Sequence, residues 1–287
     1  MKKHWLLLIL IVAIFLLLCW SLWWSNYGLK TVRYTVGGMS LPEGFNGYHI
    51  VQLSDLHSVS LGEDNGRLLK AIRAEEPDII VMTGDMVSRY DEDFSVTLAL
   101  CSALAEEYPV YYIRGNHEEG LATADWESYR AALAASRVQV LDNETVQLTA
   151  ENGDRINLTG LWYKLDYYHK YASHYRPVTE ETMYTILGEA PEGYNILLAH
   201  NPNYFPVYAA WGADVTFCGH IHGGMVWLPV LGGILSPETI LFPEYDGGIY
   251  QIEDKTMILS RGLGRGRMGV RLFNPPELVC VTLTREE

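Results

Sequence analysis

The feature that most constrains this chain is a set of five short apolar runs, each of which stops at a cluster of polar residues. His49–Ser54 gives way to Asp55-Leu56-His57, and Asp78–Thr83 to Gly84-Asp85. Val110–Ile113 is followed by Gly115-Asn116-His117-Glu118, Asn195–Ala199 by His200-Asn201, and Val215–Cys218 by Gly219-His220-Ile221-His222. Apolar runs of that length suit strands covered on both faces of a parallel sheet. Stretches with helical spacing follow the first three, at Asn65–Glu75, Phe94–Glu107 and Ala124–Ala135. Strand and helix thus alternate about every thirty residues, the rhythm of βαβ units. Open α/β sheets bind ligands beyond the carboxyl ends of their strands, so the five clusters are expected to converge on one place. Five of the nine histidines lie in them.

The remainder is organised differently. Val138–Leu141, Thr145–Thr149 and Arg155–Leu161 are separated by turn residues such as Glu151-Asn152-Gly153-Asp154, and they predict a meander. Three more strands are predicted at Gly248–Glu253, Thr256–Ser260 and Leu278–Thr284, and one at Thr31–Val36. Neither an internal repeat nor a second domain boundary stands out. The reading is one domain over 46–287, reached through a connector over 30–45.

Ahead of the connector, Trp5–Trp24 is twenty residues without a charge. As a helix rising 1.5 Å per residue it spans about 30 Å, the hydrocarbon thickness of a bilayer. It is longer than the core of a signal peptide, and bulky Leu22-Trp23-Trp24 stands where small residues would mark a cleavage site. Residues 1–29 therefore read as an uncleaved, single-pass anchor in the cell membrane, with Trp20, Trp23 and Trp24 as an interfacial belt. Lys2 and Lys3 favour a cytoplasmic N-terminus and an extracytoplasmic catalytic domain, although Lys30 and Arg33 on the other flank weaken that bias.

Two of the 21 bases precede the apolar run, so the body of the protein beyond it carries 19 bases against 35 acids, a formal charge of −16. Such a body is repelled by a phosphate backbone, which excludes a general nucleic-acid coat and suits a protein that holds cations. Cys19 sits in the apolar run, and Cys101, Cys218 and Cys280 form no CxxC pair, so neither a disulfide scaffold nor a zinc knot is supported.

A mixed set of Asp, Asn and His donors suits first-row ions such as manganese, iron or zinc rather than calcium. The set exceeds one octahedral shell once places for water and substrate are reserved. Two ions about 3.5–4 Å apart, sharing one carboxylate, is the economical arrangement.

In this order, Asp55-x-His57, Gly84-Asp85, Gly115-Asn116-His117-Glu118, His200 and Gly219-His220-x-His222 resemble the calcineurin-like metallophosphoesterase signature, over residues 46 to 284. Ser260-Arg261-Gly262-Leu263-Gly264 and Asn274-Pro275-Pro276-Glu277 look like the small bacterial membrane-associated or exported branch of that family. The resemblance implies a four-layer α/β/β/α sandwich, which agrees with the parallel units. It implies two divalent or trivalent ions, one held by Asp55, His57 and His222, the other by Asn116, His200 and His220, with Asp85 between them. His117 would stay off the metals and face the scissile phosphate, stabilising charge or donating a proton, a role worth about 10²–10⁴-fold. Glu118 reads as a support for the ligands and not as one of them.

The activity so implied is hydrolysis of a phosphodiester or phosphomonoester by metal-activated hydroxide. One alternative is a pyrophosphatase cleaving a lipid- or nucleotide-linked phosphoanhydride. Another is a non-catalytic metal-binding membrane scaffold, which would have no use for the non-ligating His117. Arg261, with Arg265, Arg267 and Arg271 nearby, is the candidate contact to substrate phosphate, solvated surface being the other reading. Gly264-x-Gly266-x-x-Gly269 matches a dinucleotide fingerprint but is followed by residues that cannot open a helix. Tyr163, Tyr167, Tyr168, His169, Tyr171, His174 and Tyr175 form an aromatic insertion, read as a substrate lid or as ordinary loop packing. The apolar stretch Met225–Leu235 is either core or an apolar wall at the mouth of the site, where it could dock the chain of a lipid-linked phosphate.

Overall fold

The computed structural model describes residues 2–168, 175–224, 226–228, 230–236, 240–265 and 271–285. In chain order come α1 (Lys2–Tyr27), β1 (Lys30–Gly37), β2 (His49–Leu53), α2 (Gly66–Arg73), β3 (Ile79–Met82), α3 (Ser95–Ala105) and β4 (Val110–Tyr112). Then come α4 (Asn116–Glu119), α5 (Thr123–Ala135), β5 (Gln139–Val140), β6 (Thr145–Thr149), β7 (Arg155–Leu161), α6 (Glu180–Leu187), β8 (Asn195–Ala199) and α7 (Phe205–Trp211). The last are β9 (Val215–Cys218), β10 (Trp227–Leu228), β11 (Gly232–Gly233), β12 (Gly248–Ile252), β13 (Lys255–Leu259) and β14 (Glu277–Thr284).

Among these residues the strands make two six-stranded sheets, ordered β1-β14-β2-β3-β4-β5 and β12-β13-β9-β8-β7-β6, and the small ribbon β10-β11. Strands β2 to β5 run parallel, as do β13, β9, β8 and β7. Side chains alternate across a strand, so each central strand serves two cores at once. Ile50, Ile79, Val81, Ile196, Leu198, Val215 and Ile258 meet between the sheets. Val51, Leu53, Ile80 and Met82 turn the other way, against Leu68 and Ile72 of α2, Leu100 and Leu104 of α3 and Tyr129 of α5. In the second sheet Leu197, Ala199, Met257 and Leu259 pack on Met183 of α6 and on Phe205, Tyr208 and Trp211 of α7. Each such side chain, fully buried, stabilises the fold by about 1.5–3 kcal/mol before entropy is counted, which is why the strands are apolar throughout. These are the four layers that the sequence led us to expect.

The meander is corrected. Of its three segments only β6 and β7 form an antiparallel pair, whereas β5 joins the first sheet parallel to β4. The chain crosses between the sheets after β5, with Val138 in the outer core and Leu141 in the inner one. Helices α6 and α7 carried no expectation; they span eight and seven residues, too short for a periodic signal.

The segment 30–45 enters the first sheet through β1, which pairs parallel with β14 from Lys30↔Glu277 to Gly37↔Thr284. Since β14 is antiparallel to β2, β1 starts at the carboxyl end of β2. The exit of α1 therefore lies at the same end of the sheet as the polar clusters. Helix α1 is long and apolar enough to cross a membrane. Its side chains are exposed from Lys3 to Trp20, whereas Ser21 and Ser25 are buried against the chain around 271–274.

Candidate metal centre

The clusters meet where the carboxyl ends of β2, β3 and β4 approach those of β8 and β9. Gln52, polar in an otherwise apolar strand, ties the sheets together there, donating to the Cys218 carbonyl at 2.8 Å and to Thr83 Oγ1 at 2.9 Å. Beyond the strands the backbone turns sharply. Asp55, His57, Asp85, His220 and His222 all take left-handed conformations, with φ of 53, 48, 52, 76 and 55°. Non-glycine residues adopt this region at a cost of about 1–3 kcal/mol each, and such strain gathers at functional sites. Two glycines let the loops approach closely: a Cβ on Gly115 would strike Asp85 Oδ1, and one on Gly219 would strike Ser54 Oγ and Asp55 Oδ2.

The result is two groups of donors with Asp85 beside both. In the first, His222 Nε2 lies 3.4 Å from Asp55 Oδ1 and 3.1 Å from His57 Nε2. In the second, His200 Nε2 lies 3.2 Å from Asp85 Oδ2, and the His220 ring sits 5.1 Å from that of His200. Asp55, His57 and His222 present ligand atoms within 4.8 Å of one another, and so do Asp85, His200 and His220, and His57, Asp85 and His117. Asn116, also buried, has a side-chain oxygen without a hydrogen-bond partner among the described residues. An orphaned amide oxygen beside paired imidazoles and carboxylates is what a cation would satisfy.

Charge tells the same story. Burial pushes His57 down to about 3, and His222 and His117 also fall below the ordinary imidazole range. Neutral imidazole is the form a metal takes. Burial works against a charged His200 too, but the Asp85 carboxylate outweighs it and raises this imidazole to about 9. Burial would raise Asp85, yet His200 holds it well below the usual carboxylate range. The Nδ1 of His200 lies 2.7 Å from the Thr83 carbonyl. That bond fixes a proton on Nδ1, so it is Nε2, facing inward, that would give up its proton and lend a lone pair to a metal.

His117 is arranged the opposite way. Its Nδ1 accepts the Arg89 backbone N–H at 3.2 Å, so the neutral ring carries its proton on Nε2 and has no lone pair there for a metal. Its ring is 4.5 Å from that of His57, and its own backbone N–H donates to Asp85 Oδ1 at 2.7 Å.

Residues behind the cluster fix it. Glu118 accepts from the backbone N–H groups of Asp85, Met86 and Gly115 at 2.8, 2.7 and 2.9 Å and from the Tyr112 hydroxyl at 2.6 Å, locking the loops after β3 and β4 together. Ser54 donates to Asp55 Oδ2 at 2.6 Å, and the His220 N–H donates to both oxygens of that carboxylate. Asn274 donates to the His222 carbonyl at 2.6 Å, and Arg271 Nη2 lies 3.2 Å from His222 Nδ1. Sequence reasoning named Tyr168 in the aromatic insertion and Asn274 in the C-terminal motif but assigned neither a place at the metal centre. The Tyr168 ring is buried 5.4 Å from His220 and 6.0 Å from His200, so this part of the aromatic insertion walls the second group. His169, Tyr171 and His174 lie outside the described residues.

Arg261 stacks its guanidinium 4.5 Å above the Trp227 ring and approaches Glu277 at 3.9 Å. Arg271 is buried and donates to the Arg261 carbonyl at 2.6 Å. Arg265 lies over the Tyr27 ring, and Arg267 is outside the described residues.

The calcineurin-like phosphoesterase family model matches residues 48–224, a span that contains the seven candidate ligands and His117. The chain belongs to this family. It is accordingly a metal-dependent phosphoester hydrolase. Among its relatives, the uncharacterized metallophosphoesterase YkuE of Bacillus subtilis is 28% identical over 260 residues, 89% of this chain and 85% of that protein. UDP-2,3-diacylglucosamine pyrophosphatase LpxG of Chlamydia trachomatis is 28% identical over 317 residues, 89% of this chain and 90% of that one. Phosphodiesterase YaeI of Escherichia coli is 26% identical, covering 82% of each chain.

Proposed function

We propose that this calcineurin-like phosphoesterase is anchored in the cell membrane by α1, works with two metal ions, and hydrolyses a phosphodiester or phosphomonoester carried on a lipid. The observation that carries the two-metal reading is the position of Asp85, whose carboxylate stands beside both donor groups. Asp55, His57 and His222 would hold one ion, Asn116, His200 and His220 the other, and Asp85 both. Manganese, iron and zinc fit this nitrogen and oxygen set. Bound there, the two ions supply the positive charge that draws in a phosphate and acidify the water that attacks it.

The chain's own residues do the rest. His117, with its proton on Nε2, is poised to donate a hydrogen bond to a phosphate oxygen and so to stabilise the charge that develops there. Glu118 and the Asp85–His117 bond hold this ring and the shared carboxylate at a fixed separation. Tyr168 keeps water from the flank of His200 and His220.

A lipid-linked substrate is supported by α1, which leaves the fold at the same end as the site, and by the LpxG relative, whose name describes a pyrophosphatase of a diacylated sugar nucleotide. That name also favours a second reading, cleavage of a lipid-linked phosphoanhydride. Lys2 and Lys3 favour a catalytic domain outside the cytoplasm; protease added to intact spheroplasts should then digest it.

Metal analysis of the full-length protein in detergent, run beside a panel of monoesters, diesters and anhydrides in soluble and lipid-carrying forms, tests the proposal. Full activity with one ion per chain would end the two-metal reading. A soluble nucleotide or sugar phosphate turned over far better than every lipid substrate would end the lipid reading.

A further inference from the structure

The residues after the Gly219-His220-x-His222 motif build a small apolar ribbon on the rim of the site. Val226 bridges to Leu272, Trp227 N–H donates to the Leu272 carbonyl at 3.1 Å, and Ile234 N–H donates to Val226 at 2.8 Å. Phe242 N–H then donates to Ile234 at 2.9 Å, which adds 240–242 as a third ribbon segment beside β10 and β11. The seventeen residues from 226 to 242 carry a single charge, Glu238. Val230 is fully exposed, and Leu231, Leu241 and Phe242 are 62, 65 and 60% exposed. Val230 and Phe242 also hold left-handed backbone, with φ of 76 and 51°. A water-facing turn would place glycine or asparagine at such positions, and a β-branched residue there is an outlier. The ribbon accepts strain and still presents hydrocarbon.

Its attachment to α1 indicates what covers it. Phe273 N–H, next to the Leu272 bridge, donates to Ser21 Oγ of α1 at 3.0 Å. Ser21 precedes the end of α1 at Tyr27 by six residues, about 9 Å along a helix axis, and is flanked by exposed Trp20 and Trp23. The ribbon is therefore pinned at the level of the tryptophan belt, not beyond the end of the helix. Two cations sit at that exit in an otherwise acidic protein: Arg67 donates to the Tyr27 carbonyl at 2.7 Å, and Arg265 lies 5.1 Å above the Tyr27 ring. Aromatic belt, apolar tips and basic residues at one level match the layers of a bilayer surface from acyl chain to phosphate.

We infer that the ribbon carrying Val230, Leu231, Leu241 and Phe242 inserts into the leaflet from which α1 emerges, as a second membrane contact that holds the mouth of the metal centre at the headgroup layer. The inference rests on the reading that α1 spans the bilayer. It goes further in saying that the substrate phosphate is engaged in the plane of the membrane, without leaving the leaflet.

The test uses the full chain in vesicles of phosphatidylcholine and phosphatidylglycerol. Cys19 on α1 is exposed and the other three cysteines are buried, so a polarity-sensitive label on native Cys19 reports on the anchor. In a Cys19→Ala background, Leu231→Cys reports on the ribbon, Phe242→Cys does so independently should the first variant fold poorly, and Glu151→Cys, on the far turn between β6 and β7, marks water. The expected result is that labels at 231 and 242 shift to the blue, are quenched by shallow nitroxide-carrying lipid, and lose most of the iodide quenching seen at 151. If Cys19 is quenched by lipid while 231 and 242 behave as 151 does, the ribbon inference fails and the anchor stands. If Cys19 itself is untouched by lipid quencher, the anchor reading fails. Labels at 231 and 242 shielded from both quenchers would mean a protein partner covers the ribbon, and would overturn the inference.

Discussion

Ser25, in the last two turns of the apolar helix, accepts a hydrogen bond from the backbone N–H of Asn274 at 3.0 Å. Asn274 in turn donates its side-chain amide to the His222 carbonyl at 2.6 Å and to the Gly224 carbonyl at 2.9 Å. Ser21 and Asn26 extend the same seam, to Phe273 and Arg271. The helix is thus part of the wall behind one candidate ligand. Leaving a buried N–H without a partner costs about 1–3 kcal/mol. Ser25→Ala should therefore lower the unfolding temperature in detergent and weaken metal binding at the group that contains His222. Unchanged melting and unchanged metal affinity would show that the contact holds nothing.

The same seam predicts the fate of the N-terminus. Cleavage of α1 as a signal peptide would remove Ser21, Ser25 and Asn26 together and leave the N–H groups of Arg271, Phe273 and Asn274 without these partners. The intact mass of the protein purified from membranes should include α1. A mature chain starting after residue 27 would contradict this.

Asp85 presents ligand atoms within 4.8 Å of those of His57 on one side and of His200 and His220 on the other, and its Oδ1 also accepts the His117 N–H. Asp85→Asn keeps the shape but removes the negative charge that two cations would share. Elemental analysis should find at most one ion per chain, and turnover should nearly vanish. Two ions with normal rates would sink the shared-ligand assignment.

For His117 the expectation separates chemistry from binding. With Nδ1 committed to Arg89 N–H, the ring is a donor and not a ligand. His117→Ala should retain its metal while kcat falls by about 10²-fold or more. Parallel loss of metal and rate would make His117 a ligand after all.

Much of this centre was legible in the sequence because its residues sit where apolar strands stop, a position that chain order alone reveals. Asp55, His57, Asp85, Asn116, His200, His220 and His222 were all singled out that way, and the structure brings ligand atoms of all but Asn116 together in overlapping groups. Contacts made across long separations were not legible. The serines of α1 look like tolerated polar residues in a membrane span until Phe273 and Asn274, some 250 residues on, meet them. Nor could spacing distinguish Arg261 from Arg271, since only packing shows that one stacks on Trp227 and the other is buried behind His222. The short β5 joined the wrong group because two ladder residues carry too little pattern to say which sheet they extend.

Glu118 offers the sharpest separation of support from chemistry. Each of its four close partners donates to it: the N–H groups of Asp85, Met86 and Gly115, and the Tyr112 hydroxyl. In Glu118→Gln the amide oxygen can serve the Asp85 and Gly115 side, where both partners only donate. Its NH₂ then faces Tyr112, whose hydroxyl can accept, and the Met86 N–H, which cannot. The Met86 N–H, and the Val87 N–H that reaches the same oxygen at 3.4 Å, are left unpaired, at about 1–3 kcal/mol each, and a negative charge is lost beside Asp85. Loss of a partner behind the ligands typically weakens metal affinity by about 10–100-fold. The variant should melt earlier and bind metal more weakly, yet recover most of its kcat when metal is supplied in excess, because His117 and the ligands themselves are intact. A competition titration with a metal-sensitive dye, paired with rates across metal concentration, reads both quantities. A rate that stays low at saturating metal would place Glu118 in the chemistry itself.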